Sequence, residues 1–138
     1  MRAINWKRVG LGGLLAGAVI NACQLAINAV VYRREWNYTS SQVAAFLVLG
    51  FLSGFFAIWL YAAILPRYGA GARTALIAGL AVWIFGSVIG AVFVIAMARL
   101  GTPALHPLLV YWICCLVQVS LGTLLGCRLY QDSPVPGR

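Results

Sequence analysis

The chain has 138 residues, 63% hydrophobic and 9% charged, with ten Lys and Arg against two Asp and Glu for a net charge of +8. So few charges exclude an ordinary water-soluble domain, where about a quarter of residues are charged, and the length leaves room for one domain. The basic surplus is spread over segment ends, without the basic face and interleaved aromatics of a nucleic-acid surface, so no nucleic-acid partner is expected.

Four runs contain no Lys, Arg, Asp or Glu: Val9 to Tyr32, Asn37 to Pro66, Thr74 to Ala98 and Leu100 to Cys127. Each can supply the roughly 20 apolar residues that cross about 30 Å of hydrocarbon. The expected fold is all-α: a polytopic membrane protein, a bundle of four antiparallel transmembrane helices near 9–32, 43–66, 73–99 and 107–130, forming a 9–130 domain in the lipid bilayer.

Residues 1–8 read as an interfacial lead-in, with Trp6 beside Lys7 and Arg8. Ala16-Gly17-Ala18 resembles a small-residue cleavage site, but the apolar run continues to Tyr32, which favours a retained helix over a signal peptide. At 100° per residue, Gly10, Gly13, Gly17, Asn21, Gln24 and Asn28 fall within about 80° of arc, leaving Gly12 outside. Amides in a span need something other than lipid to face.

The loop after helix one holds Glu35, the chain's only glutamate, with Trp36 and Tyr38 suited to the outer headgroups and Ser40 or Ser41 placed to cap helix two. On helix two, Gly50, Ser53, Gly54, Ala57 and Tyr61 share a face, with Trp59 on the opposite side. Pro66 and Gly69 are expected to break that helix and make a tight turn. Helix three aligns Gly79, Trp83, Gly86 and Gly90. A loop closed by Pro103 and Pro107 and containing His106 precedes helix four, which aligns Tyr111, Cys115, Gln118, Gly122 and Gly126. Residues 131–138 are polar and proline-rich, the composition of a flexible tail.

Every helix thus carries a GxxxG pair, Gly13/Gly17, Gly50/Gly54, Gly86/Gly90 and Gly122/Gly126. Lipid provides no hydrophobic drive between helices, so these small residues are the expected packing positions. Counted from the outer helix ends, Asn21, Ser53, Ser87 and Gln118 lie roughly 15–18 Å deep, with Gln24 and Asn28 further out. This polar belt reads either as interhelical glue or as a solute or ion site.

Basic residues divide seven (Arg2, Lys7, Arg8, Arg67, Arg73, Arg128, Arg138) against three (Arg33, Arg34, Arg99) across four spans, which favours both termini in the cytoplasm. Cys23, Cys114, Cys115 and Cys127 lack CxxC spacing and His106 is the sole histidine, so no metal or cofactor is expected. A Cys23–Cys114 disulfide stays open should helices one and four touch. Glu35 and Asp132 cannot assemble a catalytic pair, so no enzyme activity is expected.

The segment Trp59-Leu-Tyr-Ala-Ala-Ile-Leu-Pro-Arg-Tyr-Gly-Ala-Gly-Ala-Arg-Thr-Ala-Leu-Ile-Ala-Gly-Leu-Ala-Val-Trp83, with Arg8-Val-Gly-Leu-Gly-Gly and Leu121-Gly-Thr-Leu-Leu-Gly126, resembles a family of small four-helix bacterial membrane proteins of no assigned function. The resemblance implies glutamates at the positions of Gln24 and Gln118, and a pair facing each other between helices one and four. It implies a place in the bacterial inner membrane and lends no activity. The function expected from these features is a small structural or interaction protein, self-associating or an accessory subunit of a membrane complex. The alternative is a homo-oligomeric channel or carrier using the Asn/Gln belt.

Overall fold

The computed structural model describes residues 4–30, 39–97 and 105–130. They form four helices, α1 (Trp6–Val30), α2 (Ser40–Tyr68), α3 (Ala72–Met97) and α4 (Leu105–Cys127), with no strand among the described residues. All four are long and apolar enough to cross a membrane. Expectations that fall on 31–38, 98–104 and 131–138, including Glu35, Trp36, Tyr38 and the tail, lie outside the described residues.

The helix ends follow local chemistry and shift several expected boundaries. Asn5 caps α1, accepting from Arg8 N at 3.2 Å through its side chain, so Trp6–Arg8 begin the helix instead of leading into it. Thr39, not Ser40 or Ser41, caps α2: its hydroxyl accepts from Gln42 N while Thr39 N donates to Gln42 Oε1 at 3.0 Å. This reciprocal pair satisfies two backbone donors at once, which a lone serine does not. Pro66 does not end α2. It removes one backbone donor, but Gly69 N still closes on Leu65 O at 2.9 Å, and the helix stops at Gly69 with φ +77°. His106 and Pro107 belong to the first turn of α4, where a missing proline N–H costs no helical bond, so His106 is not a loop residue.

Helix α1 packs against α2 and α4, α3 packs against the same two, and α2 meets α4 across the diagonal, while α1 and α3 do not approach each other. Along α1, Gly13 lies against Phe55, Gly17 against Gly54 and Phe51, and Asn21 against Gly50, so partner numbers fall on α2 as they rise on α1. The same holds for Gly12 with Gly126, Ala16 and Ile20 with Gly122, and Gln24 with Gln118. On the far side Gly79 meets Thr123 and Ser120, and Trp83 donates to the Trp112 carbonyl at 3.0 Å.

The closest approach of backbone to backbone among the described glycines is at Gly54, where a methyl would collide with the Gly17 backbone nitrogen and stand 2.7 Å from the Gly13 carbonyl oxygen. Backbone cannot step aside as a side chain can, so glycine is what permits this crossing. Gly12, outside the face expected from periodicity, is also too tight for a side chain: a methyl there would stand 2.7 Å from Gly126 O. Helix α1 lies between α2 and α4 and therefore buries two faces, of which Gly13–Gly17–Asn21 is one and Gly12–Ala16–Ile20 the other.

Two expectations are corrected. Gly86 and Gly90 do not pack against another helix among the described residues, where a methyl at either would meet nothing within 4 Å. The buried stripe of α3 runs through Ala75, Ala78 and Val82, and beyond the half-buried Trp83 the helix exposes Phe85, Val88 and Ile89. Trp59 does not point away from the bundle: it is half-buried, stacks on Phe56 at 5.5 Å and packs against the core.

The main core gathers Val9, Ile58, Tyr61, Leu65, Ala75 and Tyr130 at the end where residues 4–9 and 130 meet. Tyr130 locks that end, setting its ring edge-on to Tyr61 at 6.0 Å and accepting a long bond from Asn5 N at 3.4 Å. Toward the other end a cleft opens between α1 and α2, lined in part by the polar side chains Asn21, Gln24 and Asn28.

Candidate functional site

Periodicity puts Asn21, Gln24 and Asn28 on one side of α1, and the contacts of α1 with both α2 and α4 decide what they meet. Asn21, only 9% exposed, donates to the Leu47 carbonyl of α2 at 3.2 Å, and its amide rests against Gly50. The missing side chain at Gly50 makes the room, since a methyl there would overlap the Asn21 amide. Glycine and asparagine thus form one device: a small residue on one helix seats a polar residue of the next.

Gln24 lies on α1 between α2, whose Val43, Phe46 and Leu47 share a cleft with it, and Gln118 of α4. Gln118, 6% exposed on α4, donates its Nε2 to Gln24 Oε1 at 3.1 Å. Gln24 Nε2 in turn donates to Asn28 Oδ1 at 3.3 Å, so three amides form a chain with a single direction, α4 to α1 and then outward along α1. Gln118 Nε2 also approaches Cys115 Sγ at 3.6 Å. At the inner end, Gln118 Oε1 is buried with no hydrogen-bond partner among the described residues. Such an acceptor costs about 1–3 kcal/mol.

A cleft of about 40 Å³ lies beside this chain, floored by Asn21, Gln24 and Asn28 and rimmed by Leu25, Val43, Phe46 and Leu47. It has room for one to a few waters, since about 10–15 Å³ suffices for one, and it is far below the roughly 300–1,000 Å³ of pockets that enclose whole small molecules.

The serines expected in the same belt stand apart. Ser53 and Ser87 are half-buried and make no hydrogen bond to the amides among the described residues. For Ser87 the reason is topological, because α3 does not approach α1. The packing glycines Gly13, Gly17, Gly50, Gly54, Gly122 and Gly126 all lie at helix contacts. Gly12 and Thr123 belong with them: Thr123 is fully buried, turns its hydroxyl onto Val119 O at 2.7 Å and faces Gly79. A search for GxxxG alone misses both; testing α1 for a second small-residue face would have found Gly12. Cys23, Cys114, Cys115 and Cys127 are all free thiols, so the Cys23–Cys114 disulfide is not formed. The described residues contain no group of three or more His, Cys, Asp or Glu placed to hold a metal ion.

No family model, curated protein or solved structure matches this chain.

Proposed function

We propose that this is a small multi-pass protein of the bacterial inner membrane that works by association, with copies of itself or with a membrane partner. In this reading the four helices span the bilayer as an antiparallel bundle with both termini cytoplasmic. Its support is the run of large apolar side chains at the surface, among them Leu49, Leu52, Phe85, Val88 and Ile113, each more than half exposed, which suits hydrocarbon and not water.

The observation that carries the associative role is the unequal use of four similar motifs. The glycine pairs of α1, α2 and α4 are consumed inside the chain, whereas Gly86 and Gly90 of α3 meet nothing within 4 Å and stand among exposed Phe85, Val88 and Ile89. Helix interiors disfavour glycine by up to about 1 kcal/mol relative to alanine, and at Gly86 and Gly90 no contact among the described residues offsets that. A neighbouring helix drawn close at Gly86 and Gly90 would do so by the same backbone approach that joins α1 to α2. A channel or carrier reading has less support, because the amides mostly bond one another and the cleft beside them is too small for a solute.

The test is the oligomeric state of the full chain in vesicles, read by crosslinking at decreasing protein-to-lipid ratio, for the natural sequence and for the Gly86→Leu/Gly90→Leu variant. The proposal expects a discrete oligomer, or a stoichiometric partner retained from native membranes, that the variant loses while staying folded. A monomer at every ratio with no partner retained, or an oligomer indifferent to both substitutions, would overturn it.

A further inference from the structure

We propose that the cleft between α1 and α2 is a lipid site that takes the ester carbonyl of a glycerolipid onto the amide N–H groups of Asn28 and Gln24. The inference rests on the membrane-spanning reading and goes beyond the associative role.

The direction of the amide chain sets the chemistry. Because Gln118 donates to Gln24 and Gln24 to Asn28, the carbonyl oxygens of Gln24 and Asn28 are already engaged as acceptors. At the Asn28 end of the cleft what remains is donors: both N–H bonds of Asn28 Nδ2 have no hydrogen-bond partner among the described residues, and Gln24 Nε2 carries a second N–H, while Asn21 Oδ1, at the opposite end, lies against Gly50. The site therefore recognises an acceptor oxygen. None of the cleft residues is charged, so a neutral acceptor suits it better than an anion, whose desolvation nothing here would offset.

Size and position narrow the class. About 40 Å³ admits a group of a few atoms and not a whole molecule, so the ligand must project one polar group inward while most of it lies outside. The rim is apolar and open, with Leu25 45%, Phe46 50% and Leu47 40% exposed, a surface along which an acyl chain can lie. Asn28 lies four residues before the end of the charge-free run Val9 to Tyr32, which Arg33 and Arg34 close. In the membrane-spanning reading the end of that run lies at the border of hydrocarbon and headgroups, where a glycerolipid carries its esters. A free carbonyl at bilayer depth, attached to a chain that prefers to stay in hydrocarbon, matches all three constraints.

The experiment reconstitutes the full chain into vesicles of diester phosphatidylcholine, of its diether analogue, and of an equal mixture of the two. Flotation reads insertion, and native mass spectrometry of the extracted protein reads which lipid stays bound. One or two hydrogen bonds to the ester should enrich the diester lipid about 3- to 10-fold over the diether in the mixture. The enrichment should disappear in Asn28→Leu and, independently, in Leu47→Trp, which fills the cleft from its exposed rim. Equal retention of the two lipids by a chain that floats normally, or enrichment that survives both substitutions, would overturn the lipid site alone. Failure to float with either lipid would overturn the membrane reading beneath it.

Discussion

Gln118 of α4 donates its side-chain amide to Gln24 of α1 across 94 positions of sequence, at 3.1 Å, and no ionised group takes part in the contact. The bond holds α1 against α4 above the glycine contacts of Gly12 with Gly126. It is also the start of the chain that leaves Asn28 as its outermost donor.

If the two glutamines act as a pair, their effects on stability should not add. Gln24→Met and Gln118→Met should each destabilise the protein in detergent, and the double variant should cost less than the sum by about 0.6 kcal/mol, up to about 2. Each single change leaves the surviving amide without its partner, whereas the double change removes both. A coupling energy of zero in the double-mutant cycle would show that the contact contributes nothing.

The glycines should separate into two classes under substitution by alanine. Gly54→Ala forces a methyl against the backbone of Gly13 and Gly17 and should cost about 1–3 kcal/mol in denaturation of the monomer. Gly86→Ala meets open space and should leave monomer stability unchanged or raise it by up to about 1 kcal/mol through helix propensity. Similar losses at both positions would refute the packing described here.

The start of α2 should depend on one side chain. Thr39→Ala removes the acceptor for Gln42 N, and such caps contribute about 0.5–2 kcal/mol. Amide hydrogen exchange over the first turn of α2 should accelerate in the variant while exchange near Ala57 and Ile58, at the buried centre of the same helix, stays slow. Unchanged exchange at the first turn would remove Thr39 from this role.

Most of the architecture was legible because the chain divides into four long charge-free runs. Charge-free runs mark spans, and small residues mark where spans can touch, so Gly13, Gly17, Gly50, Gly54, Gly122 and Gly126 are visible as contact positions before any coordinates. Periodicity reports which residues share a face but not how many faces a helix buries. Gly12 therefore falls outside the single face that periodicity marks, since α1 is wedged between two helices, and the pair Gly86 and Gly90 signals a contact that α3 does not make among the described residues. Depth counting placed Ser53 and Ser87 level with Asn21 and Gln118, yet equal depth is not proximity, and α1 and α3 occupy opposite corners. Helix ends were displaced by two to three residues where the cap is a reciprocal pair, as at Thr39 and Gln42, or where proline sits in a terminal turn, as at Pro66 and Pro107.

The central claim is that glycine contacts bring α1 and α4 together so that amides within the span meet each other. Replacing Gln24 and Gln118 by cysteine, in a chain whose four natural cysteines are changed to serine or alanine, puts the claim to a direct measurement in the intact membrane. Mild oxidation should convert most of the protein to an intramolecular disulfide, seen as a faster band without reductant, and a control pair of cysteines at Gln24 and Ser87 should not crosslink. No disulfide between positions 24 and 118, or equal crosslinking of the control pair, would contradict the arrangement.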